Sequence, residues 1–184
     1  MGRFDIYKPT GSFPQRKGAA FQFEIGNKQA RGNRLPTPCI FVTAAPQTKH
    51  KPERLSKDSA FVWTEDGKPH KETICMCLDL VDLAQMLTML EGYHKDSKGN
   101  LISEVQLVHQ SMPKGSDIKV TKDLVLNNSD KTKDVILSMS QTVGQGHHKI
   151  LTYLKPPEKI ALREIVRVTI SKYFASPTFV KKEG

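Results

Sequence analysis

Four aromatic residues lie in segments whose composition is typical of β-strands, and basic residues are interleaved with them along the chain. The aromatic candidates are Phe41, Phe61, Trp63 and Tyr153. The basic candidates are Lys28, Arg31, Arg34, Lys49, Lys51, Lys68, Lys71, Lys119 and Lys149. Flat apolar rings on a sheet can stack against planar groups, and long cationic side chains in loops can follow an irregular phosphate backbone. These residue types therefore favour binding to a polyanion over covalent chemistry.

Each aromatic candidate also has a plain structural interpretation. Phe21 and Phe23 alternate along one segment and are most simply core, and a strand aromatic in general lies in the core more often than on a binding surface. Phe41 and Tyr153 could each face a helix, whereas the indole of Trp63 is large and often only partly buried. The basic loop "NKQARGNRLPTP" could equally be a solvated hairpin connection. Lys119 and Lys122 cannot both point to the ligand if their strand is regular, because strand faces alternate with period two.

The net charge of the chain is +9, and it is unevenly distributed. Up to Arg54 there are 10 Lys and Arg against 3 Asp and Glu, whereas the remainder has 18 against 16. The first third therefore carries most of the positive field that would attract a polyanion.

The sequence contains no signature of an enzyme, a metal site or a cofactor site. The Gly-x-Ser-x-Gly elbow, the phosphate loop, the His-Glu-x-x-His pair and the dinucleotide fingerprint are all missing. Cys75 and Cys77 form a Cys-x-Cys pair, but no second Cys/His pair follows at zinc-site spacing. The odd number of cysteines and the lack of a long apolar run or leader pattern predict a cytoplasmic, non-membrane protein. We accordingly expect no catalysis, no metal and no cofactor.

The elements that must position these residues are read from periodicity. In the first half, "AAFQFEIG", "CIFVTAAPQ", "SAFVWTE" and "TICMCL" predict four strands, and the helical spacing of residues 81–90 predicts a helix directly after them. In the second half, "SEVQLVHQS", "SDIKVTKDLVL", "KDVILSMSQTV" and "HKILTYL" predict four more strands before the helix "PPEKIALREIVRVTISKYF". The fold class expected is α+β.

A constant shift of 76 residues superposes the two halves. It places Ile74 on Ile150, Leu78 on Leu154 and Asp82 on Glu158. The pattern predicts a duplicated unit of four antiparallel strands followed by a helix, with the helices packed together and the sheets outward. We expect a flexible basic arm at 1–18, one domain at 19–175 with repeats of about 19–95 and 102–175, and a short tail at 176–184.

The segments "GAAFQFEIGNK", "CIFVTAAPQ", "FVWTEDGK" and "ICMCLDLVDLAQMLTMLEG" resemble a small prokaryotic and viral branch of the Whirly fold group. This group of single-stranded nucleic-acid-binding proteins is related to the coactivator positive cofactor four and to kinetoplastid mitochondrial RNA-binding proteins. The resemblance extends from Gly18 to about Phe174. It does not include the lysine-rich strand motif of the plant proteins, which leaves the oligomeric state open.

The resemblance implies a non-catalytic coat on single-stranded DNA with little sequence preference, assembled as a homo-oligomer such as a dimer or tetramer. The aromatic and basic candidates would then stack bases and bind phosphates. RNA binding by the same fold stays an alternative, and so does a basic protein-interaction or virion structural module. Replication, recombination and transcription are all open as the process, in a nucleoid or in a virus-infected cell.

Overall fold

Alternation of apolar and polar side chains produces two four-stranded antiparallel sheets, each followed by a helix. The computed structural model describes residues 2–10, 17–29, 36–48, 60–65, 67–113, 115–129 and 134–175. In this part of the chain the first half contains β1 (Arg3–Lys8), β2 (Ala19–Lys28), β3 (Thr37–Pro46), β4 (Thr64–Glu65), β5 (Lys68–Pro69), β6 (Ile74–Leu78) and α1 (Leu80–Glu91). The second half contains β7 (Glu104–Ser111), β8 (Val120–Asn128), β9 (Val135–Val143), β10 (Gly146–Leu154) and α2 (Pro156–Phe174).

The strand order is β1-β2-β3-β6 in the first sheet and β10-β9-β8-β7 in the second. Alternate residues of each strand point inward, so that Phe21 and Phe23 of β2 and Leu124 and Leu126 of β8 are fully buried. The two helices pack against each other, and their buried residues join both sheets in one apolar cluster. The predicted α+β fold, with a four-stranded antiparallel sheet and a helix in each half, is confirmed.

Both helices begin directly after a strand because an acidic side chain caps the first turn. The N–H of Val81 donates to Asp79 Oδ1 (3.1 Å), and the N–H of Asp79 donates back to Asp82 Oδ2 (3.0 Å). In α2 the N–H of Lys155 donates to Glu158 Oε2 (2.8 Å) in the same manner. These bonds satisfy backbone donors that a helix leaves unpaired, so no loop is needed between strand and helix.

The same two carboxylates connect the halves reciprocally. His109 of β7 places its Nε2 2.9 Å from Asp82 Oδ2 of α1, and Lys8 of β1 pairs with Glu158 of α2. Each helix is therefore bonded to the first strand of the opposite sheet. Asp82 and Glu158 are equivalent under the 76-residue shift, which indicates that the two halves are related by an approximate two-fold axis.

Two further contacts join residues that are themselves 76 positions apart. Arg167 Nη2 donates to Glu91 Oε1 (2.7 Å), and His148 Nε2 donates to the carbonyl oxygen of Glu72 (3.0 Å). A residue meets its own equivalent only near a two-fold axis, so these pairs mark where the axis passes.

Substitution of Glu91 is expected to make stability less dependent on pH in acid. The hydrogen bond from Arg167, with smaller contributions from His94 and Tyr93, lowers the pKa of Glu91 from 4.5 to about 2. A carboxylate whose pKa is lowered by folding stabilises the folded state at pH values above its pKa in the unfolded state. This stabilisation is lost as the pH falls through its pKa in the folded state. Glu91→Gln should cost about 1 kcal/mol of unfolding free energy at pH 7, since water screens the half-exposed Arg167. The deficit should shrink toward zero between pH 5 and pH 2.

Urea denaturation of both proteins across this pH range measures the deficit. Glu164→Gln is the matched control, because Glu164 also contacts Arg167 (3.2 Å) but is half exposed. A deficit in Glu91→Gln that stays constant down to pH 2 would contradict the assignment.

Two predictions about the first half were wrong. Residues 3–8 are not a flexible arm, because Ile6 is 1% exposed and β1 pairs with β2 along its whole length. The segment "SAFVWTE" is not a strand of the sheet. Its only sheet pairing in the described residues is an isolated bridge between Phe61 and Gln47 and the two-residue pairing of β4 with β5. The predicted tail, 176–184, lies outside the described residues.

Candidate nucleic-acid interface

Strand β10 turns its apolar residues into the core and leaves a second row on the outer face of the sheet. Ile150 and Leu154 are buried, whereas Leu151 is 40% exposed and Tyr153 is 50% exposed. The two exposed side chains are two residues apart and therefore lie on the same face. Tyr153 thus presents its ring to solvent, although a tyrosine in a strand could equally have been core.

A surface cavity of about 340 Å³ lies beside Tyr153, where β10 passes the chain that leaves β1 and enters β2. We call it the β10 groove. Its lining residues are Lys8, Thr10, Lys17, Gly18, Asp134, Leu151, Thr152, Tyr153 and Lys155. One tyrosine and three lysines therefore line one concave surface.

The lysines differ in how far their charge is balanced. Lys8 is paired with Glu158, and Lys17 Nζ lies 3.7 Å from Glu72 Oε2. Within the described residues no ion pair involves the ammonium of Lys155, which is exposed. Lys17 and Lys155 are therefore the two lysines of the groove whose ammonium groups are most available to bind a phosphate.

A buried glutamine holds the chain segments that carry Lys8 and Lys17. Gln47 is fully buried, and its side-chain oxygen accepts from the N–H groups of Thr10 (2.8 Å) and Gly18 (3.1 Å). The chain at Gly18 passes so close to β1 that a Cβ there would lie 2.2 Å from the carbonyl oxygen of Lys8. Only glycine permits this approach, which places both lysines at the groove.

Phe41 forms a second exposed aromatic surface, on the outer face of the first sheet. It is 40% exposed and lies opposite Glu24 on one side and Cys77 on the other. Its ring covers Gly26, where a Cβ would lie 2.7 Å from Phe41 Cε2. The ring therefore lies across the sheet, as stacking requires.

Two of the thiols near Phe41, Cys39 and Cys77, have raised pKa values. Burial, with a smaller contribution from Cys77, raises the pKa of Cys39 to about 12. Burial likewise raises the pKa of Cys77. Because the thiolate is the reactive form, the raised pKa values lower the reactivity of these two thiols.

Phe61 and Trp63 lie together in a small apolar cluster on the outer face of the first sheet. Phe61 is 5% exposed and packs with Tyr7, so the prediction that it stacks on a ligand is wrong for this structure. Trp63 is half-buried and meets Tyr7 edge to face at 6.3 Å. The loop that carries them covers one end of this face, and the open part lies around Phe41.

No protein-family model and no curated protein matches the chain. Several solved structures match it in fold. The structure of WHY3 from Arabidopsis thaliana matches with a TM-score of 0.64 at 11% identity, covering 98% of this chain and 92% of that one. The plant transcriptional regulator PBF-2 matches at 0.60 and 12% identity, covering 100% and 96%. A guide-RNA-binding protein complex bound to a guide RNA matches at 0.55 and 12% identity, covering 95% and 94%.

The chain has a Whirly-like fold. At these identities the likeness defines the architecture, and it extends over nearly the whole chain.

The predicted basic residues that the structure describes lie on different elements of this Whirly-like chain. Lys28, Lys68, Lys71, Lys119 and Lys149 are exposed, and Lys28 Nζ lies 3.9 Å from Asp79. Four others lie outside the described residues, namely Arg31, Arg34, Lys49 and Lys51.

Of the lysine pair at β8, Lys122 is the one that cannot reach a ligand on the outer face. Its Nζ donates to the carbonyl oxygen of Cys75 (2.8 Å) at the edge of the first sheet. Lys119 is exposed just before β8 begins.

Sequence reasoning missed four charged residues of the β10 groove, Lys8, Lys17, Lys155 and Asp134. Lys8 and Lys17 were assigned to a flexible arm, and no local pattern indicates that they approach β10. Lys155 did carry a usable signal, because it lies two residues after Tyr153 and directly before a proline-initiated helix.

Among the described residues, no three His, Cys, Asp or Glu side chains are arranged to hold a metal ion. The helices in that part of the Whirly-like chain also include none that is long and apolar enough to span a membrane.

Proposed function

We propose that this Whirly-like protein binds single-stranded nucleic acid, without catalysis, along the β10 groove. The observation that carries the proposal is the half-exposed ring of Tyr153 beside a concave surface lined by Lys8, Lys17 and Lys155. Binding that tolerates many sequences needs a ring on which a base can stack and cations for the phosphates. The groove offers both within one cavity.

The strand would use the two kinds of group separately. A base stacks on Tyr153 and contacts Leu151, because every base has an apolar face and this contact does not depend on sequence. The ammonium groups of Lys17 and Lys155 bind phosphates and release condensed counterions. Phe41 on the first sheet is a second stacking surface, with exposed Lys28 on a neighbouring strand.

Single-stranded DNA is the nucleic acid we favour, from the predicted place of the chain in a prokaryotic or viral branch of the fold group. RNA is the second candidate, supported by the solved neighbour that is described as bound to a guide RNA. A cytoplasmic location stays a prediction from the odd number of cysteines in the sequence. Self-association stays a prediction, supported by exposed Val81, Ile160 and Val168 on the helices, and sedimentation equilibrium measures it directly.

Removal of two groove lysines should flatten the salt dependence of binding. For single strands, the logarithm of the binding constant falls with the logarithm of salt concentration by about 0.7 per phosphate contact. Lys17→Ala combined with Lys155→Ala should therefore reduce the slope by about 1.4. Lys8 is left in place because it pairs with Glu158 of α2. Anisotropy titrations of a labelled oligothymidylate at several salt concentrations measure the slope.

Lys95 and Lys98 provide the matched control. Both are exposed in the loop after α1 and neither lines the β10 groove, and their replacement removes the same net charge. An equal change of slope in both double variants would mean that only net charge matters and that the groove is not the site.

A further inference from the structure

The β10 groove contains a carboxylate that phosphate binding does not explain. Asp134 lies just before β9 and lines the cavity together with Tyr153 and the three lysines. Its backbone carbonyl accepts from the N–H of Ser129 (3.0 Å). Among the described residues, however, no ion pair or side-chain hydrogen bond involves its carboxylate, even though lysines line the same cavity.

A carboxylate in such a place is suited to a hydrogen-bond donor. When ionised it can only accept, and its two oxygens can accept two parallel bonds. It repels phosphate, so its contact in a bound nucleotide must be a group that carries N–H or O–H. A cavity of about 340 Å³ is large enough for one small ligand, on the scale of a single nucleotide.

The bases differ in what they offer to a carboxylate. The Watson–Crick edge of guanine has two adjacent donors, N1–H and the exocyclic amine, which match two carboxylate oxygens. Adenine and cytosine offer one amine each. Thymine and uracil offer one N–H between two carbonyl oxygens, and these oxygens repel a carboxylate. The preference expected of an acceptor-only residue is therefore guanine first and thymine or uracil last.

We propose that Asp134 makes the β10 groove selective for guanine, whose Watson–Crick edge it binds while the base stacks on Tyr153. This inference rests on the proposed function, since it requires that the groove bind single strands. It departs from the expectation of little sequence preference. One nucleotide in the strand would be selected, and its neighbours would bind without selection through the lysines.

The test compares short oligonucleotides that differ at one position. Strands of about eight thymidines carry deoxyguanosine, deoxyinosine or thymidine at the centre, and binding to the full chain is measured by anisotropy. Deoxyguanosine should bind about tenfold more tightly than thymidine. Deoxyinosine, which lacks the exocyclic amine, should fall between them. A ribouridine strand of the same length tests whether the donor is instead a 2′-hydroxyl.

Asp134→Asn should have opposite effects on two of these strands. The preference for deoxyguanosine should fall to less than about twofold, because the amide has one acceptor oxygen instead of two and its NH2 group would face a guanine donor. Binding of the all-thymidine strand should be stronger, because a negative charge has left a lysine-lined groove. A merely structural role would weaken every strand. Asp117→Asn is the matched control, since Asp117 is exposed between β7 and β8 at the far side of the sheet.

The outcomes separate the two proposals. Equal binding of all three DNA strands overturns guanine selection and leaves single-strand binding intact. A preference for ribouridine that Asp134→Asn removes also overturns it, and identifies the sugar as the donor. Failure of every strand to bind contradicts the proposed function itself.

Discussion

Replacement of Tyr153 with alanine is expected to weaken binding of single-stranded DNA by about tenfold at low and high salt alike. Loss of one stacked base costs about 1–3 kcal/mol, and a tenfold change lies at the lower part of this range. Tyr153 is half exposed and is not one of the residues that form the main core cluster, so the variant should remain folded. Because stacking releases few counterions, the salt slope should not change. Anisotropy titration at two salt concentrations measures both quantities.

Two substitutions make this test specific. Tyr153→Phe keeps the ring and should keep most of the affinity. Tyr93→Ala removes a tyrosine that is 64% exposed after the end of α1, where it stacks on His94 at 4.4 Å. An equal loss of affinity for Tyr93→Ala and Tyr153→Ala, or no loss for Tyr153→Ala, would mean that the β10 groove is not the binding site.

Truncation of Ile6 to alanine is expected to lower the unfolding free energy by about 2–5 kcal/mol. The side chain is 1% exposed and belongs to the main core cluster, opposite Phe21 in the β1–β2 pairing. Its removal deletes buried methylene groups and leaves a cavity that the sheet can only partly fill. Urea denaturation monitored by circular dichroism measures the loss.

Ile118→Ala makes the same chemical change at an exposed site. Ile118 is 52% exposed in the segment before β8, so its truncation should change the unfolding free energy by no more than about 0.5 kcal/mol. If both variants are equally stable, the first residues are an arm, as the sequence suggested, and β1 is not part of the fold.

The sequence predicted those elements whose pattern is long and regular. In α1 and α2 the apolar residues recur at helical spacing, and β2 and β7 to β10 alternate or contain β-branched residues, so that local pattern and tertiary burial agree. In β1 the apolar residues Phe4 and Ile6 do alternate, but the strand is short and is followed by proline and glycine. Only its pairing with β2 makes it a strand, and this information is not local.

The prediction of a strand around Trp63 was wrong for the opposite reason, because here the local pattern is strand-like and the tertiary pairing is not. "SAFVWTE" has the composition of a strand, but Phe61 is buried and Trp63 half-buried on the outer face of the first sheet by contact with Tyr7. Burial by a covering loop and burial within a sheet select the same residue types, so composition does not distinguish them.

The sequence predicted which types of residue form the candidate site, but it did not predict how they are arranged. Tyr153 and Phe41 are exposed, as the stacking interpretation requires, whereas the groove depends on Lys8 and Lys17, which come from a distant part of the chain. The 76-residue shift adds a contrast between the halves. The equivalents of Tyr153 and Lys155 are Cys77 and Asp79, a thiol and a carboxylate. Tyr153 and Lys155 therefore have no chemical counterpart at the equivalent positions of the first half.

Titration of the wild-type protein into labelled single-stranded and duplex DNA of about 30 nucleotides shows whether the protein binds single strands selectively. A double helix keeps its bases stacked inside and cannot place a base on Tyr153. We therefore expect tight binding to the single strand and much weaker binding to the duplex. Parallel titration of an RNA strand of the same length shows which nucleic acid is preferred. Equal affinity for single strand and duplex, or no binding to either, would contradict the account.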